Sequence, residues 1–381
     1  MSLKLTVITV YFTLLHYTVV TYNYFIYVKF FRIKEQIMNN YLVNIDDPIL
    51  NGGQKAKNDI TRFLTEDGFK ELNIPIVIHP EDKSLGAQIR KFKDGLITIP
   101  KAIKKIKDAD NIVFQYPIYS TFIMNKLIPA IKKNTHANLI IVIHDVESIR
   151  MFQDGGYQQD EMNILNAADL IISHNQFMTD WLNQQHVNAK VVNLNLFDYY
   201  NPQQLNTNNS FDKSVVFAGN LAKSEFLPKF NPDFPLTLFG PNPADQYQPN
   251  VSYQGSLDPD ELPAHLTQNF GLVWDGTSTT TCDGTYGHYL KYNNPHKTSL
   301  YLSSGLPVII WKEAALAQFI TENNVGFAVA SLDEINDRLD QMTTEDYQTM
   351  KQNTIAVAEK LRSGYFIKTA MHTALKELKE N

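Results

Sequence analysis

The chain has 381 residues, of which 44% are hydrophobic and 19% charged, a composition that describes a folded globular protein and excludes a disordered one. This length exceeds one ordinary α/β core and predicts two domains. A net charge of -6 gives no basis for nucleic acid as the main partner. The single cysteine, Cys282, excludes an internal disulfide and is typical of a reducing compartment.

Residues 1–37 form a separate hydrophobic segment. Within it, residues 5–31 are almost all apolar or aromatic and are long enough to cross a bilayer. If this segment inserts, the nearby Arg32 and Lys34 would hold the rest of the chain on the cytoplasmic side. The alternative is that translation starts at Met38, because the fold does not need the preceding residues. Both interpretations predict a cytoplasmic protein, and the first adds association with a membrane.

Short apolar runs then alternate with amphipathic stretches as far as residue 200. The pattern predicts strands at 41–45, 74–79, 111–116, 138–144, 169–173 and 190–194, with helices near 55–67, 87–106, 124–134 and 177–185. Such alternation predicts a parallel sheet covered by helices on both faces. We therefore expect residues 38–200 to form a Rossmann-like N-terminal domain.

A polar linker at residues 201–213 precedes a second α/β series. Strands are predicted at 214–218, 236–239, 270–274 and 307–311, and helices near 259–267, 296–304 and 314–323. Residues 214–360 are expected to form a second Rossmann-like domain, and residues 361–381 a closing helix that packs back onto the first domain. Two such domains leave a cleft at the carboxyl ends of their strands, where ligands bind in open α/β folds.

The most informative stretch, residues 293–308, combines a polar loop, a short helix, a glycine stop and a buried strand. His296 and Lys297 stand at the start of the helix, where free N–H groups and the helix dipole favour an anion. A diphosphate bound there would meet Lys297 and the hydroxyls of Thr298 and Ser299. The alternative is an exposed lysine followed by an ordinary helix-to-strand turn.

Two glycine turns support the anion interpretation. A buried strand of the second domain ends in Gly219 and Asn220, and Lys223 follows closely. Glycine allows a ligand close to the backbone, and Lys223 could neutralise a phosphate. Gly52 and Gly53 supply the equivalent turn in the first domain. They do not form GxGxxG, and no acidic residue follows at the dinucleotide spacing, so NAD is disfavoured.

Several titratable residues near strand ends are candidates for acid–base chemistry or for binding a sugar. His144 and Asp145 follow the strand of residues 139–143 and could deprotonate an acceptor hydroxyl. Asp145 could instead cap the next helix or turn. Asp275 and Asp283 flank a threonine-rich loop and could bind sugar hydroxyls.

Two stretches, 258–260 and 108–110, match the DxD pattern, which in metal-dependent transferases holds a diphosphate through a divalent cation. The first is better explained as the start of a helix, with Pro259 at its first position. The second precedes a predicted strand, whereas a metal-binding DxD should follow one. HExxH, Walker and GxSxG motifs are missing from the sequence. We therefore predict neither a metal site nor a resident cofactor.

Several stretches in this order resemble the glucosyltransferase 3 family of GT-B enzymes and relatives labelled β-1,6-galactofuranosyltransferases. They are residues 114–117, 143–146, 217–220, 270–274, 296–302, 305–309 and 322–327. The resemblance covers nearly all of residues 38–378.

The resemblance implies an α/β GT-B fold, with two Rossmann-like domains facing each other across a cleft and a C-terminal helix packing back on the first. It implies a UDP-sugar held without metal by the second domain, at Lys297 and the Gly219-Asn220 turn, with the acceptor on the first domain. Lys223 stands where relatives often have arginine. Ser256 stands where adhesin-modifying relatives have an aromatic residue that could stack on the base.

The expected reaction is transfer of a hexose, glucose or a related sugar, from the UDP-sugar to an acceptor glycan. The first candidate acceptor is O-linked N-acetylglucosamine on a serine-rich repeat adhesin. Lys223 and Lys297 would stabilise the departing UDP, and Asp145, or next His144, would be the base. A retaining mechanism would leave Asp145 as a binder only.

Two alternatives stay open. One is galactofuranosyl or glucosyl transfer in exopolysaccharide or cell-wall polysaccharide synthesis, and the other is a non-catalytic glycan-binding subunit. The expected partners are UDP-glucose or a related nucleotide-sugar, a glycoprotein or glycan acceptor, and further copies of the chain in a dimer or tetramer.

Overall fold

A computed structural model of the protein describes residues 38–46, 52–77, 84–118, 120–151 and 155–380. The hydrophobic segment at residues 5–31 lies outside them, so the prediction of a membrane anchor there stays a prediction. Among the residues that are described, no helix is both long and apolar enough to cross a membrane.

The first sheet is parallel, with strand order β2-β1-β3-β4-β5-β6. Its strands are β1 (Asn40–Asp46), β2 (Lys70–Val77), β3 (Asn111–Tyr116), β4 (Asn138–Ile143), β5 (Leu170–Ser173) and β6 (Lys190–Asn193). Its helices are α1 (Gly52–Glu66), α2 (Leu85–Lys93), α3 (Ile99–Ile103), α4 (Thr121–Asn134), α5 (Glu147–Arg150), α6 (Gly155–Leu165) and α7 (Gln176–Gln184). All six residues of β3 are buried, as expected for a strand with helices on both faces.

The second sheet is also parallel, with order β12-β11-β10-β7-β8-β9. Its strands are β7 (Val215–Ala218), β8 (Leu236–Phe239), β9 (Val251–Tyr253), β10 (Phe270–Val273), β11 (Val308–Trp311) and β12 (Gly326–Val329). The accompanying helices are α8 (Gly284–Tyr289), α9 (His296–Ser303), α10 (Ala317–Glu322) and α11 (Glu334–Gln341). The sequence pattern had not indicated β9 or β12.

Two helices, α12 (Thr344–Arg362) and α13 (Tyr365–Lys379), end the described chain. They are separated by Gly364, whose φ of 74° favours glycine and whose added Cβ would lie 2.4 Å from the ring of Phe63. The first backbone N–H groups of α13 are bound by the buried carboxylate of Asp198, which accepts from Phe366 N at 3.1 Å and from Ile367 N. Helix α13 contacts α1, β5 and β6. The predicted closing helix on the first domain is thereby confirmed.

Two predicted helices differ in the structure. The helix expected at residues 87–106 is continuous but irregular: a π-helical turn, Asp94–Thr98, precedes Pro100, which has no N–H to donate, and the last turn, Lys104–Ile106, is 3₁₀. The helix expected at 259–267 is reduced to a 3₁₀ turn, Leu262–His265. In an α-helix the carbonyl of Pro259 would accept from the N–H of residue 263, but Pro263 has none, and the hydroxyl of Tyr199 donates to that carbonyl at 3.0 Å.

Buried hydrogen bonds join the two α/β domains. Asn294 donates its backbone N–H to His174 Nδ1 at 2.9 Å and its side-chain amide to the His174 carbonyl at 2.7 Å. Asn175 donates to the side-chain oxygen of Asn294 at 2.7 Å. Because Asn294 lies two residues before α9, these bonds fix the start of α9 against the first domain.

Candidate functional site

The strand order of the second sheet reverses between β7 and β10, and open α/β sheets bind ligands at such a switch point. Gly219 directly follows β7, and Asp275 follows β10 by two residues. Lys297, in the first turn of α9, reaches both: its Nζ lies 2.7 Å from Asp275 Oδ1 and 4.0 Å from the position of a Cβ built on Gly219. Residues far apart in sequence thus meet in one crevice.

Lys297 is held in place on several sides. Its Nζ lies 4.6 Å from the centre of the Phe217 ring and pairs with Asp275, and both side chains of the pair are less than 20% exposed. Helix α9 begins without a side-chain cap, so its first N–H groups are not bound by a capping side chain. A partly buried ammonium beside a helix start attracts an anion more strongly than an exposed lysine does.

A second glycine shapes the same crevice. Gly240, after β8, has φ 138°, and a Cβ added there would lie 1.7 Å from the carbonyl oxygen of Gly219. Only glycine permits this approach of two backbone segments. Gly219 itself donates to Phe239 O at 3.1 Å. The turn after β7 is therefore held by its neighbour along the sheet.

The other predicted residues of α9 face different partners. Ser299 Oγ donates to the carbonyl of Phe197 at 2.6 Å, inside the protein, and the side chain of Thr298 is completely buried. His296 lies against the ring of Tyr199, with ring centres 5.0 Å apart, and burial lowers its pKa to about 3, which keeps it neutral. Lys297 and the backbone N–H groups are thus what α9 presents to an anion, because the hydroxyls predicted for that role are turned inward.

Lys223 and Asn220 lie on the other side of the turn. Lys223 is exposed, and its Nζ stands 4.5 Å from the ring centre of Tyr286, in α8. Asn220 Oδ1 accepts from Ala222 N at 3.1 Å and from Asn242 Nδ2 at 3.0 Å. Lys223 is therefore free to swing toward a ligand, whereas the side chain of Asn220 shapes the turn.

Ser256, which was predicted to lie beside the nucleotide base of the donor, is exposed just after β9. The preceding Gly255 accepts from Gly240 N at 2.9 Å, so Ser256 lies one residue from the backbone that supports the Gly219 turn. Asp283, considered for sugar hydroxyls, instead accepts from Thr277 Oγ1 at 2.8 Å and Ser278 N at 3.1 Å. Its carboxylate stabilises the loop after β10.

In the first domain, the predicted turn at Gly52 and Gly53 is already helical, because α1 starts at Gly52. The boundary prediction was therefore three residues late. The next turn of this helix carries Lys55, which sequence reasoning missed. Its ammonium is buried, forms an ion pair with Asp59, and lies 3.3 Å from Asp260 of the second domain. A lysine and an aspartate four residues apart on one helix was the available signal.

Asp145 stands after β4 and is 22% exposed. Its Oδ2 lies 3.0 Å from Arg150 Nη1. Neither oxygen of the Asp145 carboxylate caps α5, the helix that follows. Burial raises the pKa of Asp145 to about 6, against the opposing effect of the Arg150 guanidinium. The predicted alternative of a helix cap is not what the structure shows, and a carboxylate with a raised pKa in a cleft suits a base.

His144 is buried and donates from Nε2 to Gln115 Oε1 at 2.8 Å, with its ring stacked on Phe197. Burial lowers its pKa well below the ordinary value. His174, which the sequence reasoning missed, packs edge-on against the same Phe197 ring. It follows the end of β5 as His144 follows the end of β4, and this shared position was the signal for it. No group of three metal-ligating side chains occurs within the described ranges.

Solved structures share this two-sheet architecture. An α-glucosyltransferase in complex with UDP and DNA superposes with a TM-score of 0.53 at 11% identity, covering 90% of this chain and 100% of that one. A trehalose-6-phosphate protein from E. coli, bound with UDP-2-fluoro glucose, gives 0.53 at 10% identity over 88% and 98%. The two sheets define a two-domain α/β protein with the GT-B fold.

Sequence comparison identifies the family. The model for the Glucosyltransferase 3-like N-terminal domain matches residues 35–196, and that for the C-terminal domain matches residues 215–374. The β-1,6-galactofuranosyltransferase WbbI of Escherichia coli is 35% identical, over 86% of this chain and 95% of its own length. Glucosyltransferase 3 of Streptococcus gordonii is 28% identical over 85% and 94%. The chain belongs to the Glucosyltransferase 3-like family of glycosyltransferases.

Proposed function

We propose that the protein transfers a hexose from a UDP-sugar to an acceptor glycan, without a metal. The observation that carries the proposal is the convergence of Lys297, the Gly219 turn and the uncapped start of α9 at the switch point of the second sheet. Diphosphate groups bind at such helix starts, and an ammonium placed there stabilises the charge that grows on departing UDP. The first candidate acceptor is O-linked N-acetylglucosamine on a serine-rich repeat adhesin, as the family resemblance in the sequence implies, and two streptococcal relatives carry the name Glucosyltransferase 3.

The direct test incubates the purified protein with a panel of UDP-sugars and an N-acetylglucosamine-bearing adhesin peptide. Mass spectrometry should show a peptide heavier by one hexose with a single donor. An unchanged peptide with every donor removes the adhesin assignment. If the protein also neither binds nor hydrolyses any UDP-sugar, the enzyme proposal fails and a glycan-binding subunit becomes the better description.

A second acceptor class is supported by the 35% identity to a β-1,6-galactofuranosyltransferase, which exceeds the 28% and 25% identities to the two streptococcal glucosyltransferases. We therefore include UDP-galactofuranose as a donor and a polysaccharide intermediate as an acceptor in the same panel. Transfer of galactofuranose to that intermediate, with the adhesin peptide unmodified, would select this function.

The assignment of Asp145 as base predicts a pH dependence. A base acts in its ionised form, so kcat/KM should rise with pH through about 6, the pKa to which burial raises this carboxyl. The Asp145→Asn variant should lose at least about 100-fold in kcat, the usual contribution of a general base. A profile that is flat near pH 6, with an active Asp145→Asn variant, would assign Asp145 to binding, as a retaining mechanism requires.

We further propose that the protein acts in the cytoplasm as a homo-oligomer. No residue of α2 is buried, and the helix exposes Leu85, Ile89 and Phe92 along one side, at 73%, 61% and 56%. An apolar stripe of this kind is typical of a protein contact. Light scattering should give a multiple of 43.5 kDa. The Ile89→Glu variant should give the monomer mass, and the Lys91→Glu control should keep the wild-type mass.

A further inference from the structure

The face of the first sheet beneath α1 changes from apolar to polar toward the carboxyl ends of its strands. Leu42 and Val113 are fully buried under the helix. Two positions further along, on the same face because side chains alternate in a strand, stand Asn44 and Gln115. Asn73 of β2 pairs with Asn44. A helix-covered parallel strand is normally apolar throughout, and such departures mark functional positions.

The polar side chains line a cavity of about 340 Å³ between α1 and strands β1–β3. Asn58 and Thr61 line it from the helix, and Glu71 lines it from β2. Its volume falls within the range of about 300–1,000 Å³ that is usual for small-molecule sites. The cavity thus has both the size and the lining of a binding site.

The chemistry of the lining selects a neutral, hydroxyl-rich ligand. Side-chain amides both donate and accept hydrogen bonds, as sugar hydroxyls do, and the Glu71 carboxylate accepts them. A phosphate is disfavoured, because Glu71 adds negative charge and the one ammonium of the lining, on Lys57, donates to the carbonyl of Pro117.

The cavity adjoins the predicted base through one shared side chain. Gln115 donates from Nε2 to Thr61 Oγ1 at 3.0 Å, and its Oε1 accepts from His144 Nε2 at 2.8 Å. His144 directly precedes Asp145. A ligand in the cavity therefore lies beside the acceptor half of the cleft, away from the Gly219 turn.

We propose that this cavity binds one sugar unit of the acceptor, adjacent to the unit that receives the transferred hexose. The inference rests on the proposed function. It adds an acceptor subsite formed by Asn44, Asn73 and Glu71, and it makes acceptor choice depend on β1 and β2 in addition to the residues that follow β4.

The test compares wild-type protein with Asn73→Leu and with Asn183→Leu, a control at an exposed position of α7. Saturation-transfer NMR, with UDP present, measures contact with p-nitrophenyl glycosides of disaccharides built from N-acetylglucosamine, glucose or galactose, so that one unit can occupy the cavity while the other receives the hexose. Steady-state assays then give the KM for the donor and for the glycoside in contact. We expect Asn73→Leu to raise the glycoside KM roughly tenfold, the effect of losing one or two hydrogen bonds. The donor KM should stay at the wild-type value, and the control should match wild type throughout.

Glycoside contact that is equal in wild type and Asn73→Leu would overturn the subsite, as would a wild type that contacts none of the glycosides. Failure of the proposed function looks different: wild type would then neither bind UDP nor hydrolyse UDP-sugars, whatever the NMR shows. A rise in donor KM equal to that for the glycoside would mean that Asn73→Leu disturbs the whole cleft, and would also count against the subsite.

Discussion

Replacing Lys297 by alanine is expected to weaken UDP binding roughly 10- to 150-fold, or about 1.5–3 kcal/mol, the range for a hydrogen bond to a charged group. The variant removes the ammonium and leaves the Asp275 carboxylate, 2.7 Å from it in the wild type, without its partner in the same crevice. The remaining negative charge repels a diphosphate. Isothermal titration calorimetry with UDP measures the change.

Lys291→Ala is the matched control, because Lys291 pairs with Glu313 at 2.8 Å at a more exposed position. It should bind UDP as the wild type does. Lys223→Ala should show a smaller loss than Lys297→Ala, since Lys223 is exposed and its charge is screened by water. Wild-type UDP affinity in Lys297→Ala would refute the diphosphate role.

Replacing Glu161 by alanine is expected to lower the free energy of unfolding by about 3–5 kcal/mol, because each buried polar group left unpaired costs about 1–3 kcal/mol. Glu161 is 1% exposed. Its carboxylate accepts from Tyr116 Oη at 2.7 Å and from the backbone N–H groups of Glu147 and Ser148 at 2.8 and 2.9 Å. These two N–H groups begin α5, the helix that carries Arg150 to Asp145.

Urea unfolding of Glu161→Ala should be compared with that of Asp160→Ala, at the exposed neighbouring position, which should change by less than about 0.5 kcal/mol. Glu161→Gln retains one carbonyl acceptor and should fall between the two. Equal midpoints for Glu161→Ala and Asp160→Ala would show that the carboxylate does not hold α5.

Much of the fold followed from local patterns. The alternation of apolar runs and helical stretches predicted both parallel sheets, and the polar composition of residues 201–213 predicted the segment between them. Strand β9 was missed because its three residues, none of them buried, form no apolar run, and β12 was missed because Gly326 and Ala328 interrupt its apolar residues. The helix expected at residues 259–267 failed because Pro263 has no N–H to donate to the carbonyl of Pro259, which accepts from the hydroxyl of Tyr199.

The candidate site was predicted in part. Placement at strand ends and helix starts indicated Lys297, Gly219 and Asp145, because the geometry of a parallel sheet brings such positions to one edge. The inward orientation of Ser299 had no signal in the sequence, because its partner, the Phe197 carbonyl, lies 102 residues away. The pairing of Arg150 with Asp145 also had no local signal, because it depends on α5 being anchored by the Glu161 carboxylate.

The sequence by itself determined that two Rossmann-like domains form, that a lysine stands at a helix start, and that a glycine turn follows a buried strand. Propensity and periodicity act over a few residues, and these features are local. Only the tertiary structure decided which of the predicted residues face the cleft. In the folded protein Lys297 pairs with Asp275, and the hydroxyls of α9 point into the interior. Burial in the fold also raises the pKa of Asp145. Each of these outcomes depends on contacts between segments distant in the chain, which local propensity does not encode.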